Sequence, residues 1–71
     1  MYNVKYMKNE IVADSLKTED VKEVEKFFNK NNCVINLNNN MATIRSMSKT
    51  ESFKFYKRRN DRSKYIEVVV E

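Results

Sequence analysis

Phe53-Lys54-Phe55-Tyr56-Lys57-Arg58-Arg59-Asn60-Asp61-Arg62-Ser63-Lys64-Tyr65-Ile66-Glu67-Val68-Val69-Val70 is the stretch on which the reading of this 71-residue chain turns. Two aromatic and β-branched runs flank a block that concentrates charge without an evident folding reason. With Asn60-Asp61 as a two-residue loop, the segment predicts a β-hairpin. Phe55 then faces Ile66 and Phe53 faces Val68 on one side, while Tyr56 meets Tyr65 and Lys54 meets Glu67 on the other. Aromatic and opposite-charge cross-strand pairs each contribute roughly 0.2–1 kcal/mol, which favours that register. Toward the tip the same register sets Lys57 against Lys64 and Arg59 against Arg62, and like charges across a ladder are destabilising. The expected object is a ribbon with an oily base and a cationic tip, reaching roughly 10 Å beyond the base at ~3.3 Å per residue. Its second strand carries Ile66, Val68 and Val70 on one face and Val69 on the other. Such a pattern fits a strand buried on both sides, or one pairing with a second copy of the chain.

The rest of the chain is read outward from there. Cys33–Leu37 and Met41–Arg45 predict another hairpin around a type I′ Asn39-Asn40 loop. Leu37 would oppose Ala42, Ile35 would oppose Ile44, and Cys33 would oppose Ser46, with Met41 and Met47 on the face opposite Ile44. Cys33 reads as a small core residue; with no histidine in the chain there is no imidazole to activate a catalytic thiol. Thr18 to Asn31 predicts a helix, capped by Thr18 and with Glu19 and Asp20 at its positive end. Val21, Val24, Phe27 and Phe28 form its apolar stripe, and Asn31 or Asn32 is suited to a left-handed terminating position. At the start of the chain Tyr2, Val4 and Tyr6 alternate with polar residues. A Lys8-Asn9 loop would set Tyr6 against Ile11 and Val4 against Ala13; the rival is a helix from Glu10 to Phe28. The fold expected is therefore one α+β domain over residues 1–71, a single amphipathic helix on an antiparallel sheet of four to six strands, ordered ββαββββ.

Composition narrows the function classes. Without glycine, neither a phosphate-cradling loop nor a dinucleotide fingerprint can be built in its usual form. Without proline there is no rigid PxxP segment, and without histidine the usual zinc sets are missing. The lone cysteine precludes an intramolecular disulfide, no apolar run approaches membrane-spanning length, and no signal-like stretch opens the chain. A cytoplasmic protein is expected, in the host cytoplasm if a phage encodes it, as the Asn- and Lys-rich composition of short phage proteins suggests. The formal charge is +4 but uneven. Between Asn36 and Ile66 eight basic residues face two acidic ones, net +6, whereas the remainder holds six basic and eight acidic, net −2. A polarised surface of this kind steers an anionic partner.

The candidate binding residues are Lys54, Tyr56, Lys57, Arg58, Arg59, Arg62, Lys64 and Tyr65. The arginines suit phosphates or guanine edges, the lysines neutralise backbone charge, and the tyrosines can stack on exposed bases. The ordinary alternatives are a solubilising, aggregation-resistant tip and a cross-strand tyrosine pair. The expected function is a non-catalytic module whose basic hairpin contacts nucleic acid. The alternative is a small phage- or mobile-element-type inhibitor of the anti-CRISPR kind, or an adaptor, docking on a host nucleic-acid-processing protein. A homodimer is the further partner expectation. No cofactor, metal or membrane partner is expected, and no acid/base pair converges. Asp14 and Glu10 beside basic residues could be assembled into a nuclease, but nothing in their spacing requires it.

Overall fold

In a computed structural model describing residues 1–71, four strands and two helices follow the order ββααββ. Strands β1 (Tyr2–Lys8) and β2 (Ile11–Thr18) form one hairpin, and β3 (Ser52–Arg58) and β4 (Asp61–Val70) form another. Between them run helices α1 (Val21–Lys30) and α2 (Leu37–Ser46). The antiparallel sheet is ordered β2-β1-β4-β3, so the first and last strands lie side by side at its centre and β2 and β3 are its edges. With β4 paired on both sides, its apolar pattern is satisfied within the chain and its edges are closed to a second copy.

Both helices cover the face carrying Val4, Tyr6, Phe55, Ile66 and Val68; these close a core with Val24, Phe27, Phe28, Cys33, Met41 and Ile44. Phe28 meets Phe55 edge-on, ring centroids 5.6 Å apart, which joins α1 to the sheet. The opposite face has no helix over it.

The stripe of α1 packs as its spacing predicts, but its cap differs. Asp20, not Thr18, is the N-cap and accepts a hydrogen bond from Lys22 N at 2.9 Å. Thr18 ends β2, and its hydroxyl accepts from Asp20 N instead. The helix ends in a Schellman arrangement: Asn32 N donates to Asn29 O and Cys33 N to Phe28 O, with Asn32 at φ +56°. The turn delivers Cys33 into the core, where burial pushes its thiol pKa up despite nearby Lys57.

The expected hairpin over Cys33–Arg45 is instead an irregular turn, Cys33 to Asn36, leading into α2. Leu37, Met41, Ile44 and Met47 recur at helical spacing, and all four pack on the core along one face. Met41 and Met47 therefore lie on the same side as Ile44, not opposite it. Asn36 takes the left-handed conformation that a I′ loop would have asked of Asn39-Asn40, and Asn40 Nδ2 donates to Ile35 O. The sheet holds four strands in place of the six that ββαββββ implies.

The first hairpin also turns one residue later than expected. Asn9 and Glu10, both at positive φ, form the I′-like loop; Lys8 pairs with Ile11, and the register shifts between Tyr6 and Met7. Because Met7 pairs with Val12 and Tyr6 with Asp14, Ala13 is an extra residue in β2. Val4 then faces Leu16 rather than Ala13, and Ile11 and Val12 are left exposed.

Candidate nucleic-acid interface

The β3–β4 hairpin has the predicted inner register: Phe53↔Val68, Lys54↔Glu67, Phe55↔Ile66 and Tyr56↔Tyr65. Its tip does not. Arg58 pairs with Asp61, so Arg59 and Asn60 form the turn and the register shifts just beyond Tyr56. Only Lys57 separates Tyr56 from Arg58, whereas Arg62, Ser63 and Lys64 separate Asp61 from Tyr65. The bulge removes both unfavourable contacts expected there, Arg59 against Arg62 and Lys57 against Lys64, and sets opposite charges across the last pair. The Asp61 carboxylate bonds not to an arginine but to Ser63, accepting from its backbone N at 2.9 Å and from its hydroxyl. These bonds, and then the nearby Lys64 and Arg58, hold its pKa below the usual value.

The tip is also less free than a projecting ribbon. Lys8 pairs with Lys64 and Asn9 N donates to Ser63 O at 2.8 Å, so the β1–β2 turn runs alongside β4 as far as Ser63. Only the Arg58–Arg62 turn extends beyond that support. The expected reach of roughly 10 Å into a groove is shortened accordingly.

On the helix-free face, Tyr56 and Tyr65 lie with ring centroids 5.5 Å apart. Lys54 Nζ sits 5.1 Å from the Tyr65 centroid and Arg62 Cζ 5.3 Å from that of Tyr56. Each cation is within the range of attraction to the ring quadrupole. A shallow cleft of about 470 Å³ opens beside them, bordered also by Asn9, Glu10 and Ser63. Lys57 departs from this group: it turns to the helix side, its Nζ 5.6 Å from the Tyr6 centroid. Arg58 and Arg59 are exposed at the turn, and Lys64 is half-buried opposite Lys8. Four of the eight predicted residues thus share one surface, Lys54, Tyr56, Arg62 and Tyr65, with Arg58 and Arg59 at its end.

None of the six cations comes within 4 Å of a carboxylate, although Arg58 and Lys64 lie near Asp61 and Lys54 stands opposite Glu67. The ion pairs of the chain are Lys17–Glu71, Lys26–Glu23 and Lys30–Asp14, all elsewhere. Lys8 is the residue that sequence reasoning missed; the β1–β4 pairing that brings it to Lys64 spans nearly the whole chain and leaves no local trace. Asp14 is held by Lys30 and Asn31, and no three His, Cys, Asp or Glu side chains converge as a metal site would require. No helix is long and apolar enough to cross a membrane. No protein-family model, curated protein or solved structure matches the chain.

Proposed function

We propose that this protein is a non-catalytic nucleic-acid-binding module that uses the β3–β4 hairpin, and that its ligand is single-stranded. The observation that carries the reading is the set Lys54, Arg58, Arg59 and Arg62, none within salt-bridge distance of a carboxylate, beside the Tyr56–Tyr65 pair, of which Tyr56 is exposed and Tyr65 half-buried. Uncompensated cations bind phosphate by releasing its condensed counterions, and an aromatic face adds base stacking worth about 1–3 kcal/mol per base. The buttressed tip favours a strand laid across the tyrosine face over insertion of a ribbon into a duplex groove. Fluorescence anisotropy with labelled single-stranded and duplex probes at two salt concentrations tests it. Tighter single-strand binding with a steep salt dependence is expected. Absence of binding to either probe at low salt rejects the reading.

A second reading, an inhibitor or adaptor docking on a nucleic-acid-processing protein, is favoured by the exposure of Phe53 and Ile35 beside these cations. Phosphate backbones make no use of such apolar surface. A pull-down that retains a stoichiometric protein partner after nuclease treatment would select it.

A further inference from the structure

The two edges of the sheet differ. On β2 the Ala13 bulge breaks the outer ladder, a common protection against unwanted pairing. On β3 the pairing from Ser52 to Tyr56 is regular and the outer side is open. The direction of its backbone groups follows from bonds at either end of β4. Glu71 N donates to Met1 O and Asn9 N to Ser63 O, so the odd-numbered residues of β4 bond to β1. Val70 N donates to Glu51 O, so the even-numbered ones bond to β3. By the alternation of an antiparallel ladder, Phe53 and Phe55 face β4, and the N–H and C=O groups of Ser52, Lys54 and Tyr56 point away from the sheet.

Lysine in mid-strand usually guards such an edge. Lys54 does not stand over it, because its ammonium folds back across the sheet onto Tyr65. Beside the open edge, on the helix side, Ile35 and Asn36 before α2 and Phe53 and Phe55 line a cleft of about 290 Å³. Phe53 and Ile35 are each about half exposed (50% and 51%) and line the same cleft, so they form an apolar patch beside the edge. The rim adds Lys54, Tyr56, Lys57, Arg58, Arg59 and Arg62 and contains no acidic residue.

We propose that the outer edge of β3 takes an extended, alternating acidic–apolar segment of a partner protein as a fifth strand. The free backbone groups supply the ladder, the Ile35–Phe53 cleft takes the apolar side chains, and the cations take the carboxylates. A second copy is the wrong occupant. Two β3 edges paired about Lys54, the middle of the three outward positions, would set the two Lys54 residues against each other and leave both cationic rims without carboxylates for Arg58 and Arg59, and β2 offers only Asp14, already held by Lys30, behind a bulge. The proposal goes beyond the nucleic-acid reading; its cleft shares Lys54, Tyr56 and Arg62 with the tyrosine face, and Ser52 and Ile35 are the positions that separate the two ligands.

The test is titration of the ¹⁵N-labelled protein with an end-blocked octapeptide alternating glutamate and valine. The control has the same composition, with the glutamates and valines in separate blocks. Expected are saturable shifts and slowed hydrogen exchange at the Ser52, Lys54 and Tyr56 amides, with the block peptide binding at least about tenfold more weakly. Ile35→Glu, at an exposed position, and Ser52→Pro, which removes an outward donor and obstructs the edge, should each weaken binding by a similar factor. Equal binding of the two peptides, shifts confined to Arg58–Arg62, or no binding at about 1 mM peptide overturns the proposal. So does an oligonucleotide that produces the Ser52 and Ile35 perturbations, since the groove would then belong to nucleic acid.

Discussion

Replacing Arg58, Arg59 and Arg62 together by alanine should remove about three quarters of the salt dependence of nucleic-acid binding. In the native protein four cations share the tyrosine surface or its end, Lys54, Arg58, Arg59 and Arg62, and three of them are these arginines. Each phosphate neutralised on a single strand contributes about −0.7 to the slope of log K against log salt, so four contacts give about −2.8 and one gives about −0.7. Between about 50 and 200 mM salt the native protein should lose affinity by about 50-fold and the variant by only about 3-fold. The substitutions spare the core, since all three side chains are exposed. The contacts removed are the Arg62–Tyr56 cation–π pair, worth about 0.5–1 kcal/mol at an exposed site, and the cross-strand attraction of Arg58 for Asp61 at the exposed turn. Anisotropy titrations across the salt range, with far-ultraviolet circular dichroism as the folding control, measure the difference. An unchanged slope in a folded variant would refute the assignment of phosphate contacts to this hairpin.

Tyr56→Ala should leave the salt slope alone and weaken single-strand binding roughly 5- to 150-fold, one stacked base's worth, measured at fixed salt. In the β1–β2 turn Glu10 occupies φ +66°, where glycine is preferred after asparagine, so Glu10→Gly should raise the urea midpoint. Asp14 accepts from Lys30 Nζ at 3.1 Å and from Asn31 Nδ2 at 3.2 Å, and these bonds lower its pKa from the ordinary 3.8. A depressed carboxyl pKa contributes stability that is present above the unfolded value and lost as pH falls through the folded one. Asp14→Ala should therefore destabilise the protein at pH 7, and the gap from the native protein should close in acid unfolding below about pH 4. A gap that persists at low pH would assign the loss to packing instead.

What could be read in the sequence was what is local and strictly alternating. Phe53, Phe55, Ile66 and Val68 fixed the inner register of the C-terminal hairpin because a one-residue slip would have put Phe53 and Phe55 on one face and Ile66 and Val68 on the other. Val21, Val24, Phe27 and Phe28 likewise identified α1. The second helix was misread because Leu37, Met41 and Ile44 are separated by Asn38-Asn39-Asn40, residues that favour turns when taken alone. Packing of three side chains on the core overrides that preference in α2. The Ala13 bulge was hidden because Ile11 and Val12 look like inward-facing strand residues and are in fact exposed. The site shows the same division. Its cations and tyrosines were legible as a block, whereas their sorting between two faces depends on the bulge beyond Tyr56 and on a β1–β4 pairing that joins the chain's ends.

The binding surface itself can be located by recording ¹H–¹⁵N spectra of the protein while a single-stranded oligonucleotide is added at low salt. Shifts should cluster at Lys54, Tyr56, Arg58, Arg59, Arg62 and Tyr65 and leave α1, with its acidic Glu23 and Glu25, undisturbed. Shifts centred on the helices, or none at saturating oligonucleotide, would contradict the claim that the unpaired cations beside the tyrosine face are what this protein binds with.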